Sequence, residues 1–119
     1  MIRKHTISFK HAWEGLVYAF KTQPNYKIHA LFSALAVGGG LYFHISYTEF
    51  LIIGVLITLG FTVETINTAI EETCDAIDES IRPEIKIAKD TAAASMLLIA
   101  IGSSILGLVI FIPKIASLF

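Results

Sequence analysis

Residues 50–80 read FLIIGVLITLGFT and then VETINTAIEETCDAIDES. The first part carries no charge; the second is lined with carboxylates and has no basic residue. At 100° per residue, Glu64, Asn67, Glu71, Asp75 and Asp78 follow at spacings of three and four and share a helical sector of roughly 80°. Glu72 and Glu79 point to one side of it. A carboxylate in hydrocarbon costs on the order of 2 to 4 kcal/mol and must face protein, water or a metal. Glu64 is the most expensive of the set, because a turn or more of helix separates it from the polar end. The strip from Glu64 through Asn67 to Glu71 is oxygen-rich and suits a hard cation such as magnesium.

The surrounding chain is equally apolar. Its 119 residues are 55% hydrophobic and 16% charged, with a mean hydropathy of +0.70. That composition marks an all-α membrane protein, and its near-neutral but unevenly distributed charge argues neither for nucleic acid, which is not expected as a partner, nor against an anionic ligand. Three segments have the length and composition to cross a bilayer, over about residues 28–45, 50–71 and 91–112. Before them, Phe9, Trp13, Leu16, Val17 and Phe20 recur at helical spacing. They predict an amphipathic helix over about residues 6–22, lying on the membrane surface. Pro24 ends that helix or opens the next. No cleavable signal is evident, and the mature chain is expected to begin at Met1. Residues 1–119 form one domain without internal repeats.

Basic residues set the expected orientation. Arg3, Lys4, Lys10, Lys21 and Lys27 precede the first span, and Arg82, Lys86 and Lys89 lie between the second and third. The positive-inside rule puts the N terminus and that second connection in the cytoplasm, with Lys114 alone on the far side. The carboxylates therefore emerge at the cytoplasmic face. Ala34, Ala36 and the Gly38–Gly39–Gly40 triplet favour close helix packing rather than a phosphate loop, since no strand precedes and no lysine follows. A thin three-span bundle has little interior of its own, so self-association is expected. The single cysteine, Cys74, supports no disulfide or zinc framework.

Asp78, Glu79 and Glu84 read as solvated surface acids. Glu64, Asn67 and Glu71 read as functional, because helix glue needs one hydrogen-bonding group and not two anions two turns apart. At the entry of the third span, Lys89 offers a cation for a phosphate, and Asp90 could cap the helix or orient that lysine. Two other classes use the same residues. A scaffold would need the carboxylates only for packing. An ion pathway would need polar residues to continue from Leu59 back to Leu51, where only Thr58 is polar.

VETINTAIEETCD followed by AKDTAAAS resembles the signature of the bacterial diacylglycerol kinase and undecaprenol kinase family, small trimeric membrane kinases with a surface helix and three spans. The resemblance runs from about Phe9 to Ile115. It implies phosphoryl transfer from magnesium ATP to the hydroxyl of a membrane lipid, in the cytoplasmic membrane of a bacterium. Carried over by motif, Glu64 matches the general base and Asn67 a residue orienting substrate or base. Glu71 matches a metal carboxylate, Lys89 the phosphate-binding lysine, and Asp75 and Asp90 polar residues around the nucleotide. Trp13 and His29 fall with Glu64 on the lipid substrate. Gln23 stands where the family usually has a metal-binding glutamate, and Lys4 where some members have arginine, which a lysine cannot replace as a bidentate fork. Arg82-Pro83-Glu84, AKDTAAAS and the closing IFIPK resemble the undecaprenol branch, with diacylglycerol as the alternative substrate.

Overall fold

Proline and serine set where the helices begin. The computed structural model describes residues 2–80 and 82–119, with side chains from residue 7 onward; Arg3 and Lys4 therefore lie outside the described side chains. Four helices follow one another: α1 Ile2–Thr22, α2 Pro24–Tyr42, α3 Tyr47–Ile77 and α4 Pro83–Ala116. No strand occurs among the described residues, as expected of an all-α chain. Gln23 is extended, and Pro24 and Pro83 each occupy the first turn of their helix, where a missing N–H costs nothing.

The turn between α2 and α3 is closed by two caps. His44 takes a left-handed φ of 51°. Its N–H donates to the carbonyl of Leu41 at 3.3 Å, and the next N–H, of Ile45, donates to that of Gly40 at 3.1 Å. This is a Schellman closure, with the Ile45 side chain folded back over Gly40. Gly40 is required there: a Cβ would lie 2.9 Å from both Ile45 and Phe50. On the other side, Ser46 Oγ accepts from the Glu49 N–H at 3.2 Å while Glu49 Oε2 accepts from the Ser46 N–H at 2.6 Å, a complete capping box.

α2 and α4 both run antiparallel to α3. The small buried core, Ile45, Ile53 and Ile110 with Ala36, Phe43, Phe50, Ile57 and Phe111 against it, sits at the end of the bundle remote from the carboxylates. Ion pairs tie α4 to both ends of α3: Lys89 to Asp75 at 2.8 Å and Lys114 to Glu49 at 3.5 Å. Most large apolar side chains of α2, α3 and α4 face outward, an arrangement suited to lipid and not to water. By length and composition α3 and α4 qualify as membrane spans. Only 6% of the most apolar window of α4 is buried in the protein, which separates it from the core helix of a soluble domain. α2 falls short of the same test, because its 19 residues include Asn25, Lys27, His29 and three glycines.

One expectation is corrected. The helices extend past the apolar segments, to Ile77 in α3 and back to Pro83 in α4, and α2 ends at Tyr42. Asp78 consequently leaves the carboxylate file. It lies beyond the helix in extended conformation, where its side chain accepts from the Ser80 N–H at 2.8 Å and pairs with Arg82. These contacts, led by that of Ser80, hold the Asp78 carboxyl below its ordinary range.

Candidate active site

The C-terminal half of α3 carries the site. Toward the end of the helix its face presents Gly60, Glu64, Asn67, Glu71 and Asp75, with about 10 Å of helix between Glu64 and Glu71. Glu64 is completely buried, and neither carboxylate oxygen has a hydrogen-bond partner. Asn67, 4% exposed, donates from Nδ2 to Glu71 Oε1 at 3.0 Å, which leaves its own Oδ1 buried and unpaired. Three unsatisfied oxygens thus lie within one turn. Leaving such acceptors dry costs several kcal/mol, and stable native structures rarely keep them without a ligand or a reaction to serve.

α2 forms the opposite wall, in a register fixed by three contacts. Tyr26 is buried and its hydroxyl meets Thr65 Oγ1. Thr65 already donates to the Phe61 carbonyl, so the tyrosine is the donor. One turn deeper, His29 packs on Gly60, where a Cβ would lie 3.3 Å from Nδ1, and its ring meets that of Phe61 at 6.1 Å.

On the solvent side Lys89 is joined to Asp75 at 2.8 Å, while Asp90 is paired with Lys86. The structure therefore brings Lys89 and Asp75 together and places Asp90 in a separate pair along α4. Gln23 is half-buried at the head of α2, and among the described residues no hydrogen bond joins its side chain to Glu71. Trp13 is two-thirds exposed on α1. It lines a groove of about 370 Å³ with Leu16, Val17, Phe20, Lys21 and Tyr26. α1 is fastened to α3 by the Tyr18 hydroxyl, which donates to Glu72 Oε1 at 2.7 Å, so Glu72 faces α1 and not the strip.

Sequence reading missed Tyr26 and Tyr18. The pairing of α2 with α3 that gives Tyr26 its partner is visible only in the fold. As for metal, all donors of the strip are oxygens, and Glu71 keeps one carboxylate oxygen clear of Asn67. Among the described residues no three His, Cys, Asp or Glu side chains gather into a cage. That donor set fits magnesium, which takes one or two protein carboxylates and completes its shell with water and substrate phosphates.

A buried, unpartnered carboxylate thus lies on α3 about three turns before the Asp75–Lys89 pair, at the inner end of a polar strip. Residues 10–111 match the prokaryotic diacylglycerol kinase family, and the chain belongs to it. It is a lipid kinase and an integral membrane protein. It is 39% identical over 108 residues to the undecaprenol kinase of Bacillus subtilis, covering 91% of this chain and 88% of that relative. It is also 34% identical over 113 residues to a diacylglycerol kinase of Synechocystis, covering 94% of this chain but 65% of the relative's length.

Proposed function

We propose that the chain transfers the terminal phosphoryl group of magnesium ATP to the hydroxyl of undecaprenol at the cytoplasmic face of the bacterial inner membrane. The observation that carries this reading is Glu64: fully buried, with two free oxygens, one turn from the Asn67–Glu71 pair. A lipid hydroxyl supplies the missing donor. Glu64 takes its proton as the hydroxyl oxygen attacks the γ-phosphorus and ADP departs. Asn67 orients the hydroxyl or the base through its free Oδ1. Glu71, with Gln23 in the place of a second carboxylate, holds magnesium, which neutralises phosphate charge when bound. Lys89 moves from Asp75 to the phosphates, with Asp75 and Asp90 beside the nucleotide.

The apolar groove at Trp13 and the ring of His29 one turn below Glu64 suit a lipid that enters from the bilayer with its hydroxyl foremost. Undecaprenol is favoured over diacylglycerol because the undecaprenol kinase relative is both more similar and nearly matched in length. Three spans, formed by α2, α3 and α4, a single domain and a homotrimer complete the proposal, with the N terminus and the connection before α4 in the cytoplasm.

The test is a competition assay in one detergent or lipid mixture, with undecaprenol and diacylglycerol present together and products compared by specificity ratio. We expect kcat/KM to favour undecaprenol at least tenfold. A ratio favouring diacylglycerol transfers the assignment to that lipid, and phosphorylation of neither by a well-assembled protein ends it.

A further inference from the structure

We propose that Tyr18 is a positioning residue for the lipid substrate: its hydrogen bond to Glu72 holds α1 against α3, and with it the wall of the groove in which the lipid chain lies. This rests on the reading of the chain as a lipid kinase whose base is Glu64. The groove is built almost wholly on α1, from Trp13, Leu16, Val17, Phe20 and Lys21, and Tyr26 of α2 completes it. α1 itself is joined to the other helices by little. Gln23, extended, is the single residue between α1 and α2. Beyond it the rings of Phe20 and Tyr26 meet edge to face at 6.2 Å. The Tyr18 hydroxyl then donates to Glu72 Oε1 at 2.7 Å, and among the described residues this is the only side-chain hydrogen bond or ion pair that leaves α1.

Two fixed points set the angle of a helix where one leaves it to swing. The first is the junction at Gln23 with the adjoining Phe20–Tyr26 contact, which packs but does not aim. The second is the phenol–carboxylate bond, which is charge-assisted and directional. Glu72 stands about 12 Å along α3 from Glu64, and it is not engaged with the Asn67–Glu71 pair, so α1 is fastened beside the site without using a residue of the strip. Tyr26 connects the groove to the base. It lines the groove, and its hydroxyl donates to Thr65, the residue after Glu64. A lipid chain held between α1 and Tyr26 therefore lies one side chain away from the segment of α3 that carries the unpartnered carboxylate. Loss of the bond should cost affinity for the lipid, because the groove wall moves, and leave the nucleotide contacts of Glu71 and Lys89 in place.

The experiment is a double-mutant cycle of Tyr18→Phe and Glu72→Leu, with Glu72→Gln as the variant that keeps an acceptor oxygen, all as full-length protein in detergent with undecaprenol and, in parallel, diacylglycerol. Lipid binding is read without ATP by quenching of Trp13, the sole tryptophan and a groove residue, with chain-brominated forms of the two lipids. Tyr18→Phe and Glu72→Leu should each raise KM for the lipid about 3- to 10-fold, with KM for ATP and kcat within about twofold. The Trp13 quenching midpoint should move by the same factor. The double variant should be no worse than the weaker single one, and Glu72→Gln should stay within about twofold of wild type. Should Tyr18→Phe not assemble by size exclusion, Glu72→Leu is read by the same criteria. An unchanged lipid KM, an equal rise in KM for ATP, additive effects in the double variant, or a Glu72→Gln as weak as Glu72→Leu overturns the proposal. Wild-type protein that phosphorylates neither lipid removes the kinase reading instead, and the Trp13 midpoints then decide the role of Tyr18 alone.

Discussion

A carboxylate with no exposed surface and no hydrogen bond weakens the fold that contains it, since its desolvation is not offset by any partner. Glu64 should therefore show opposite effects on stability and on activity. Glu64→Gln is expected to raise or preserve the apparent Tm in detergent while cutting turnover by about 10²- to 10⁴-fold, with nucleotide binding intact; a variant both less stable and active would make Glu64 a packing residue. Glu71→Gln should act differently, raising several-fold the magnesium needed for half-maximal nucleotide binding. A titration of binding against magnesium checks it. These two residues and Asn67 were legible because helical spacing alone puts them on one face at a depth where charge is costly. Asp78 was misread by the same arithmetic, which continues a helix that stops at Ile77. Tyr26 was invisible to it, because its partner Thr65 lies on another helix and no local period connects them.

The start of α2 was legible at Pro24, where a breaker is written into the chain, whereas the Ser46 capping box and Pro83 were read as parts of connections and turned out to open α3 and α4. Helix ends were not legible where hydropathy stood in for helicity: an apolar window reports where the bilayer is, and α3 and α4 run on through polar residues beyond it. The end of α2 depends on His44 in a left-handed conformation that costs a branched-free residue about 1 kcal/mol relative to glycine. His44→Gly should stabilise the protein by about 0.5–1 kcal/mol, read as a small rise in thermal midpoint. At the other end of the molecule, α1 is held by Tyr18. The hydrogen bond to Glu72 raises the Tyr18 pKa above 10.0, because only the neutral phenol can donate. With the folded pKa raised, the contribution of this contact is complete below about pH 10 and is lost as pH rises through the folded value. Fluorescence of Trp13, the sole tryptophan and a residue of the same helix, should report α1 loosening in that alkaline window. Tyr18→Phe should show the loosened signal at neutral pH and no alkaline transition. An unchanged alkaline transition in that variant would exclude Tyr18 as the latch.

Between the ion pairs Lys114–Glu49 and Lys89–Asp75, α3 and α4 run about 39 Å side by side. That distance exceeds a hydrocarbon core of about 30 Å and stays within the full bilayer with its headgroups. A crossing along the bilayer normal would set the two pairs in the two interfaces, where charge is tolerated. α2 is less hydrophobic than either, but hydropathy is not the only argument about its depth. Tyr26 meets Thr65, His29 meets Gly60, and the end of α2 at Gly40 meets Phe50. α2 thus accompanies α3 from the level of the carboxylates to its start, a register that supports the proposal of a third crossing. Its polar residues, Asn25, Lys27 and His29, all fall in its first turns, at the level of the site. Three crossings put the two chain termini on opposite sides of the membrane; two crossings, by α3 and α4 alone, would put them on the same side. Protease protection of tags at each end, in right-side-out and inverted vesicles, distinguishes these. We expect the N-terminal tag to be cleaved only from the cytoplasmic side and the C-terminal tag only from the other. Cleavage of both from one side would remove α2 from the membrane, and with it the wall that α2 contributes opposite Glu64.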